Sequence, residues 1–345
     1  MKKNSFPTYK DLKEKLTLRS EDLKFLDYTK SFCKNVFFKK TLNKLIVFAG
    51  PCSIHSEKES LIYAEKLKNL QKDLKNIFLI MRVFYEKPRS ENSWKGFLYD
   101  PNLDNSLNIE TGLIKTRKLL LDITHMRVPI ATEIADPNVF NYFNDLITWG
   151  FIGARTSSSP LHRHFASSMK IPIGFKNTLD GDVKIAINAA ITSKNKQSFI
   201  SIDDDGRICQ KSSSGNELSH IVLRGSKTSI NYDEKSLIST SELMKEKKQN
   251  FPIIIDCAHG NSRYIYQNQI KAFEYILGLI EKEIFPIIGV MLESNLKEGK
   301  QNLNPLNLRF GKSITDPCID FEKTKDLIFK ADEKLSKLYF HQNHL

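Results

Sequence analysis

The sequence predicts an α/β fold, and three observations carry that prediction. From residue 45 onward eight short, β-branched apolar runs recur, each closes on a polar or charged residue, and most are followed by a stretch of helical period. Continuously apolar runs, as opposed to alternating ones, suit parallel strands covered on both faces. Strands that alternate with helices form βαβ units around a parallel sheet. Eight such units across about 250 residues suit a (β/α)8 TIM barrel better than a doubly wound sheet.

Taken in order, the predicted strands are 45–49, 77–84, 128–134, 150–155, 171–176, 220–225, 252–259 and 287–293. Between them, segments such as 57–69 and 112–123 repeat apolar residues at helical spacing. Two further short runs, 198–202 and 207–211, flank Asp203-Asp204-Asp205-Gly206 and read as a β-hairpin inserted before strand six. Residues 1–44 form an N-terminal arm with one amphipathic stretch, expected to act at an interface or in regulation, and 320–340 reads as a closing helix. With no internal repeat or low-complexity linker, residues 45–345 are expected to be a single (β/α)8 barrel domain.

Of 345 residues, 40% are apolar and 27% charged, as in a globular protein. No apolar run reaches membrane-spanning length. The lysine-rich start has no apolar stretch, which argues against a secretory signal. The net charge is +12, but the first 44 residues carry 12 basic and 5 acidic groups, or +7, and leave only +5 for the rest. No basic stripe with interleaved aromatics remains, so no nucleic-acid partner is expected. Five cysteines at 33, 52, 209, 257 and 318 form no CxxC pair, which points to the reducing cytoplasm.

In a barrel of this kind the chemistry sits at the C-terminal ends of the strands. Those ends offer Cys52, Arg82 with Lys87 and Arg89, Glu133, Arg155, Lys176, Arg224, His259 and Glu293. One charge at a strand end is ordinary, but many facing one mouth are expensive unless ligands neutralise them. The cations Arg82, Lys87, Arg89, Arg155, Lys176 and Arg224 imply a multiply anionic ligand. Cys52, His259, Glu293 and Asp316, the last in the loop after strand eight, make a mixed S/N/O set for one divalent transition metal ion: Mn, Fe, Co or Zn. Taken singly, Cys52 reads as a small buried hydrophobe and His259 as a satisfied core histidine. Convergence at one mouth favours ligation.

Longer strings then become recognisable. Gly50-Pro51-Cys52-Ser53-Ile54-His55, Met81-Arg82-Val83 running to Glu86-Lys87-Pro88-Arg89, Gly153-Ala154-Arg155-Thr156 and Gly174-Phe175-Lys176-Asn177 occur in order. Leu223-Arg224-Gly225, His259 with Asn261-Ser262, Val290-Met291-Leu292-Glu293-Ser294 and Gly311-Lys312-Ser313-Ile314-Thr315-Asp316 follow. Over residues 45–320 the chain resembles the class I 3-deoxy-7-phosphoheptulonate (DAHP) synthases of the bacterial and fungal, feedback-regulated type.

The resemblance implies condensation of phosphoenolpyruvate with D-erythrose 4-phosphate and water to give DAHP and phosphate, the first step of the shikimate pathway. By the family pattern Cys52, His259, Glu293 and Asp316 hold the metal. Arg155 and Arg224 take the phosphate of phosphoenolpyruvate, while Arg82, Lys87 and Lys176 surround its carboxylate and reactive end. Arg89 and Ser90, with Asp316, hold erythrose 4-phosphate. Lys87 or a metal-bound water manages protons, and the sequence leaves both open. A homodimer or homotetramer is implied, with the arm packed across a subunit interface.

Some positions depart from the family. Ser90 replaces a usual Thr and keeps the hydroxyl donor. Cys257, two residues before His259, is expected by strand alternation to face the same side and to serve packing. Relatives bind Phe, Tyr or Trp at the arm and hairpin, and the charged hairpin with Asp203, Asp204, Asp205 and Lys211 suits an aromatic effector poorly. 3-Deoxy-D-manno-octulosonate 8-phosphate synthase, which uses arabinose 5-phosphate, typically carries Lys-Ala-Asn-Arg-Ser-Ser where this chain has Lys87-Pro88-Arg89-Ser90. A catalytically silent barrel would have lost a ligand or cation, and none is missing. An RNA-associated protein acting through the arm would show salt-sensitive oligonucleotide binding.

Overall fold

A computed structural model describes residues 5–39, 44–88 and 93–342. Eight parallel strands close into a barrel in the order β1 (Leu45–Gly50), β2 (Ile77–Arg82), β3 (Ile130–Glu133), β4 (Trp149–Ile152), β5 (Ile173–Lys176), β8 (His220–Leu223), β9 (Ile253–Asp256) and β10 (Ile287–Asn295), with β10 returning to β1. The helices between them include α3 (Glu57–Lys72), α4 (Ile109–His125), α7 (Val183–Lys194), α8 (Glu234–Glu246) and α9 (Asn268–Glu281). A short β11 (Ile319–Asp320) pairs with the end of β10 and leads into α10 (Phe321–Gln342), the expected closing helix. The expected eight-stranded barrel is therefore present.

Period-two alternation explains why the strand sequences are apolar throughout. Ile46, Phe48, Ile80, Trp149, Phe151, Val222, Ile254, Ile288 and Met291 fill the barrel interior as one cluster. Their neighbours Leu45, Val47, Leu79, Ile221, Ile255 and Val290 belong to a second cluster, shared with the surrounding helices.

The arm contains two helices, α1 (Tyr9–Lys15) and α2 (Ser20–Lys39), where one amphipathic stretch was expected. Cys33, Val36 and Phe37 of α2 join the interior cluster. The Phe32 and Phe78 rings lie 4.2 Å apart, and those of Phe37 and His220 4.4 Å apart. Helix α2 thus floors the barrel at the end opposite the mouth. Helix α1 is fixed by a Thr8–Asp11 capping box and lies against the inserted hairpin, β6 (Gln197–Ile202) and β7 (Ile208–Ser213). Lys10 donates its backbone N–H to Asp204 O at 3.0 Å, and Lys13 Nζ lies 3.5 Å from Asp204 Oδ1. The hairpin turn needs Gly206, whose φ is +83°.

His220 gives the interior a pH dependence. Its Nδ1–H donates to Leu218 O at 2.9 Å, while Nε2 accepts the Trp149 indole N–H at 3.1 Å. Burial pushes its pKa down from 6.5 to about 3. Above pH 6.5 the imidazole is neutral whether the chain is folded or not. Below that, the unfolded chain takes up a proton that the folded chain refuses, so stability falls as pH drops towards about 3. Urea titrations between pH 7 and 4 are expected to show this loss, on the order of a few kcal/mol, with a shallower slope for His220→Gln. An unchanged slope would assign the acid sensitivity to other groups.

Candidate active site at the barrel mouth

Backbone placement at the strand ends builds the site. Gly50 pairs with Glu293, which brings the turn after β1 beside the end of β10. A Cβ on Gly50 would sit 2.6 Å from the Arg82 carbonyl oxygen, so only glycine lets β1 leave the sheet this close to β2. Cys52 follows two residues later and is fully buried. Its Sγ lies 3.2 Å from Asp316 Oδ2 and accepts the Asp316 backbone N–H at 3.4 Å. Burial pushes the thiol pKa well above its ordinary value, and the Glu293 carboxylate adds to that while Lys87 opposes it.

Glu293 is held at both ends. Gln269 clamps its backbone, accepting its N–H at 2.8 Å and donating to its carbonyl at 3.2 Å. Arg82, buried at the end of β2, donates from Nη2 to Glu293 Oε1 at 3.0 Å and stacks 4.2 Å from the Phe84 ring. Arg82 Nε and Nη1 are buried without a hydrogen-bond partner among the described residues. His259 Nε2 lies 3.6 Å from the same Glu293 oxygen, and His259 Nδ1 3.0 Å from Asp256 Oδ2.

Lys87 links the two expected sets. Its Nζ is 2.6 Å from Cys52 Sγ and 3.5 Å from Asp316 Oδ2. Burial works against its ammonium, but Cys52, Asp316 and Glu293 outweigh it and raise the pKa above the ordinary lysine value. Lys176 Nζ donates to Asp256 Oδ2 at 2.7 Å and lies 4.4 Å from the Phe151 ring centre. Arg224 is positioned through its backbone, with its N–H on Asn177 Oδ1 at 2.8 Å. Asn177, Asn231 and Asn261 frame the loops after β5, β8 and β9: Asn231 donates to Asn177 Oδ1 at 3.1 Å, and Asn261 Oδ1 accepts the Asn231 N–H at 2.9 Å.

These groups surround a cleft of about 540 Å³. Lys87, Arg155, Lys176, Arg224, His259 and Asp316 line it, while Cys52, Arg82 and Glu293 lie buried behind its wall. Glu133 also lines it, packed against Gly153, where a Cβ would meet the carboxylate at 2.0 Å. Arg89 and Ser90 lie outside the described residues.

Three contributors escaped the sequence reading. Lys227 lines the cleft and was legible as the next cation after Arg224-Gly225-Ser226. Asp256 closes the run Ile253-Ile254-Ile255, which is the strand-end signal used elsewhere. Gln269 lies inside a helix and offered no signal. Cys257 corrects an expectation: β9 ends at Asp256, His259 opens a 3-10 turn with φ +54°, and strand alternation no longer relates the two. Cys257 packs into the outer core, as its packing role required.

The donor set fits a metal ion. Ligand atoms of Cys52, Glu293 and Asp316 lie within 4.8 Å of one another, with His259 Nε2 beside Glu293. One thiolate, one imidazole and two carboxylates suit a borderline transition ion rather than magnesium or calcium.

A closed barrel whose mouth joins a cationic cleft to a cluster of metal-competent side chains defines a barrel enzyme built for small anionic ligands. Residues 38–328 match the DAHP synthetase I family, and the chain belongs to it. It is 38% identical over 296 residues to the Tyr-sensitive phospho-2-dehydro-3-deoxyheptonate aldolase of Escherichia coli strain K12, covering 85% of this chain and 83% of that protein. It is likewise 38% identical over 298 residues to the phospho-2-dehydro-3-deoxyheptonate aldolase of Corynebacterium glutamicum, covering 83% and 80%. The structure of the phospho-2-dehydro-3-deoxyheptonate aldolase from Francisella tularensis SCHU S4 superposes with TM-score 0.94 at 37% identity, covering 97% of this chain and 98% of that one. The chain is accordingly a DAHP synthase, an enzyme of the first step of aromatic amino acid biosynthesis.

Proposed function

We propose that the cleft condenses phosphoenolpyruvate with erythrose 4-phosphate, with Cys52, His259, Glu293 and Asp316 holding one divalent transition metal ion. The observation that carries this reading is Lys87, whose ammonium touches the donor cluster while lining the cationic cleft. Such an ion supplies Lewis acidity to the sugar aldehyde when bound.

The chain's own residues do the rest. Arg155 and Arg224 hold the phosphate of phosphoenolpyruvate, with Lys227 on the same rim. Lys176 and Lys87 flank its carboxylate and reactive end, and Arg82 acts on that end from behind Glu293. Arg89 and Ser90 take the phosphate of erythrose 4-phosphate, and Asp316 contacts the same substrate, on the family pattern. Carbon 3 of phosphoenolpyruvate then forms a bond to the aldehyde carbon, and Lys87 gives a proton to the new alkoxide. Water adds at carbon 2 and returns a proton to Lys87, and the carbon–oxygen bond to phosphate then breaks as the carbon 2 hydroxyl becomes the ketone and its proton leaves with the phosphate. Holding two anions in near-attack geometry supplies several kcal/mol of the acceleration.

The test is phosphate release from phosphoenolpyruvate, with erythrose 4-phosphate and then arabinose 5-phosphate, after chelation and after manganese is restored. Metal-dependent release with the four-carbon sugar alone supports the proposal. Release only with the five-carbon sugar, or none, sinks it.

We extend the proposal to regulation, assembly and compartment. The catalytic barrel is a single domain, and residues 1–44 act as an interface arm in a homodimer or homotetramer. The five cysteines, all unpaired, suit the cytoplasm, and no helix among the described residues is long and apolar enough to cross a membrane. Asp204 and Asp205 at the hairpin turn are engaged by Lys13 and Lys10 of the arm, leaving a charged surface that suits an aromatic ring poorly. Millimolar Phe, Tyr and Trp are each expected to leave the rate unchanged, and clear inhibition by any one refutes the idea.

A further inference from the structure

Asp256 is the side chain on which both halves of the site converge. It ends β9 in register with Met291 and is fully buried. One carboxylate oxygen, Oδ2, receives Lys176 Nζ at 2.7 Å and faces His259 Nδ1 at 3.0 Å. The other, Oδ1, accepts the Ala258 backbone N–H at 3.0 Å. Its own carbonyl accepts Asn261 Nδ2 at 2.9 Å, so the residue has no freedom to turn away.

His259 is held equally firmly. Its φ of +54° is a left-handed conformation uncommon for a non-glycine residue. The adjoining Gly260 is pressed so closely on the loop after β8 that a Cβ there would meet Ser226 O at 2.2 Å. The ring sits with Nδ1 3.0 Å from Asp256 Oδ2, an ion-pair contact not aligned as a hydrogen bond, and with Nε2 3.6 Å from Glu293 Oε1.

We propose that Asp256 is a positioning residue that fixes His259 in the Nδ1–H tautomer, leaving the Nε2 lone pair for the metal, and that aims Lys176 at the anion cleft. A carboxylate behind a ligating imidazole fixes the tautomer and raises ligand basicity. Sharing one oxygen between His259 and Lys176 ties metal affinity and anion binding to a single group. The inference rests on reading the donor cluster as a metal centre.

The test compares manganese binding, read from the paramagnetic resonance signal of the free ion without substrates, for three purified proteins. Asp256→Asn is expected to weaken binding about 10–100-fold and to raise the KM for phosphoenolpyruvate. Lys176→Gln, which leaves the Asp256–His259 contact in place, should raise that KM but hold metal affinity within about threefold. Wild-type metal affinity in folded Asp256→Asn overturns the proposal. Absence of manganese binding by the wild type overturns the metal reading instead. The tautomer decides the role of Asp256 in that case, and also if the variant fails to fold. Nitrogen-15 histidine spectra of the metal-free wild type should show His259 protonated on Nδ1, and protonation on Nε2 refutes the assignment.

Discussion

Glu293→Ala is expected to abolish measurable synthase activity and to lower the stability of the whole barrel. The two losses have different origins. Activity goes because Glu293 is a member of the donor cluster and the neighbour of His259 Nε2. Stability goes because Arg82, itself fully buried, loses its ion pair at 3.0 Å and already has two N–H-bearing nitrogens without hydrogen-bond partners among the described residues. Removing one member of a buried pair costs about 3–5 kcal/mol, because a lone charge stays behind. Replacing both, as Arg82→Met with Glu293→Leu, should recover most of the stability and none of the activity. Thermal melts with and without manganese provide the check. The wild type should be stabilised by the ion and both variants should not, so a variant that is still stabilised would remove Glu293 from the metal site.

Lys87→Met is expected to do nearly the reverse to the metal. Removing an ammonium 2.6 Å from Cys52 Sγ and 3.5 Å from Asp316 Oδ2 takes a repelling cation away from the donors. Manganese should bind at least as tightly as to the wild type, while kcat falls by about 10²–10⁴-fold through loss of the proposed proton donor. If kcat survives, the proton comes from elsewhere. If manganese binding collapses, Lys87 supports the cluster instead of competing with its occupant.

Much of this site was legible because buried parallel strands carry no polar residue until they reach the mouth. Reading where each apolar run stops located Cys52, Arg82, Lys176, Arg224 and Glu293 directly. It failed at the seventh barrel strand, taken to run to His259. The chain leaves the sheet at Asp256, so the carboxylate that orients the histidine was passed over as strand interior. Strand ends elsewhere moved as well: 77–84 became Ile77–Arg82, and 150–155 became Trp149–Ile152, because the apolar sequence runs on past the strand. Gln269 was beyond reach, since a helical glutamine carries no sign of the strand it clamps. The role of α2 was hidden too, because an amphipathic pattern reports that a face is covered but not by what.

That floor helix bears on the order in which the molecule is made. Phe32 and Phe37 leave the ribosome early, yet they pack against Phe78 and His220. The barrel that they seal closes only when Ile46 finds Gly289, 243 positions later. Contacts of such long sequence separation form slowly. Throughout synthesis the apolar side of α2 has no finished cavity to enter, and it stays exposed in the nascent chain. Helix α2 precedes the strands it floors in the chain, yet its apolar side finds its place only when the barrel closes.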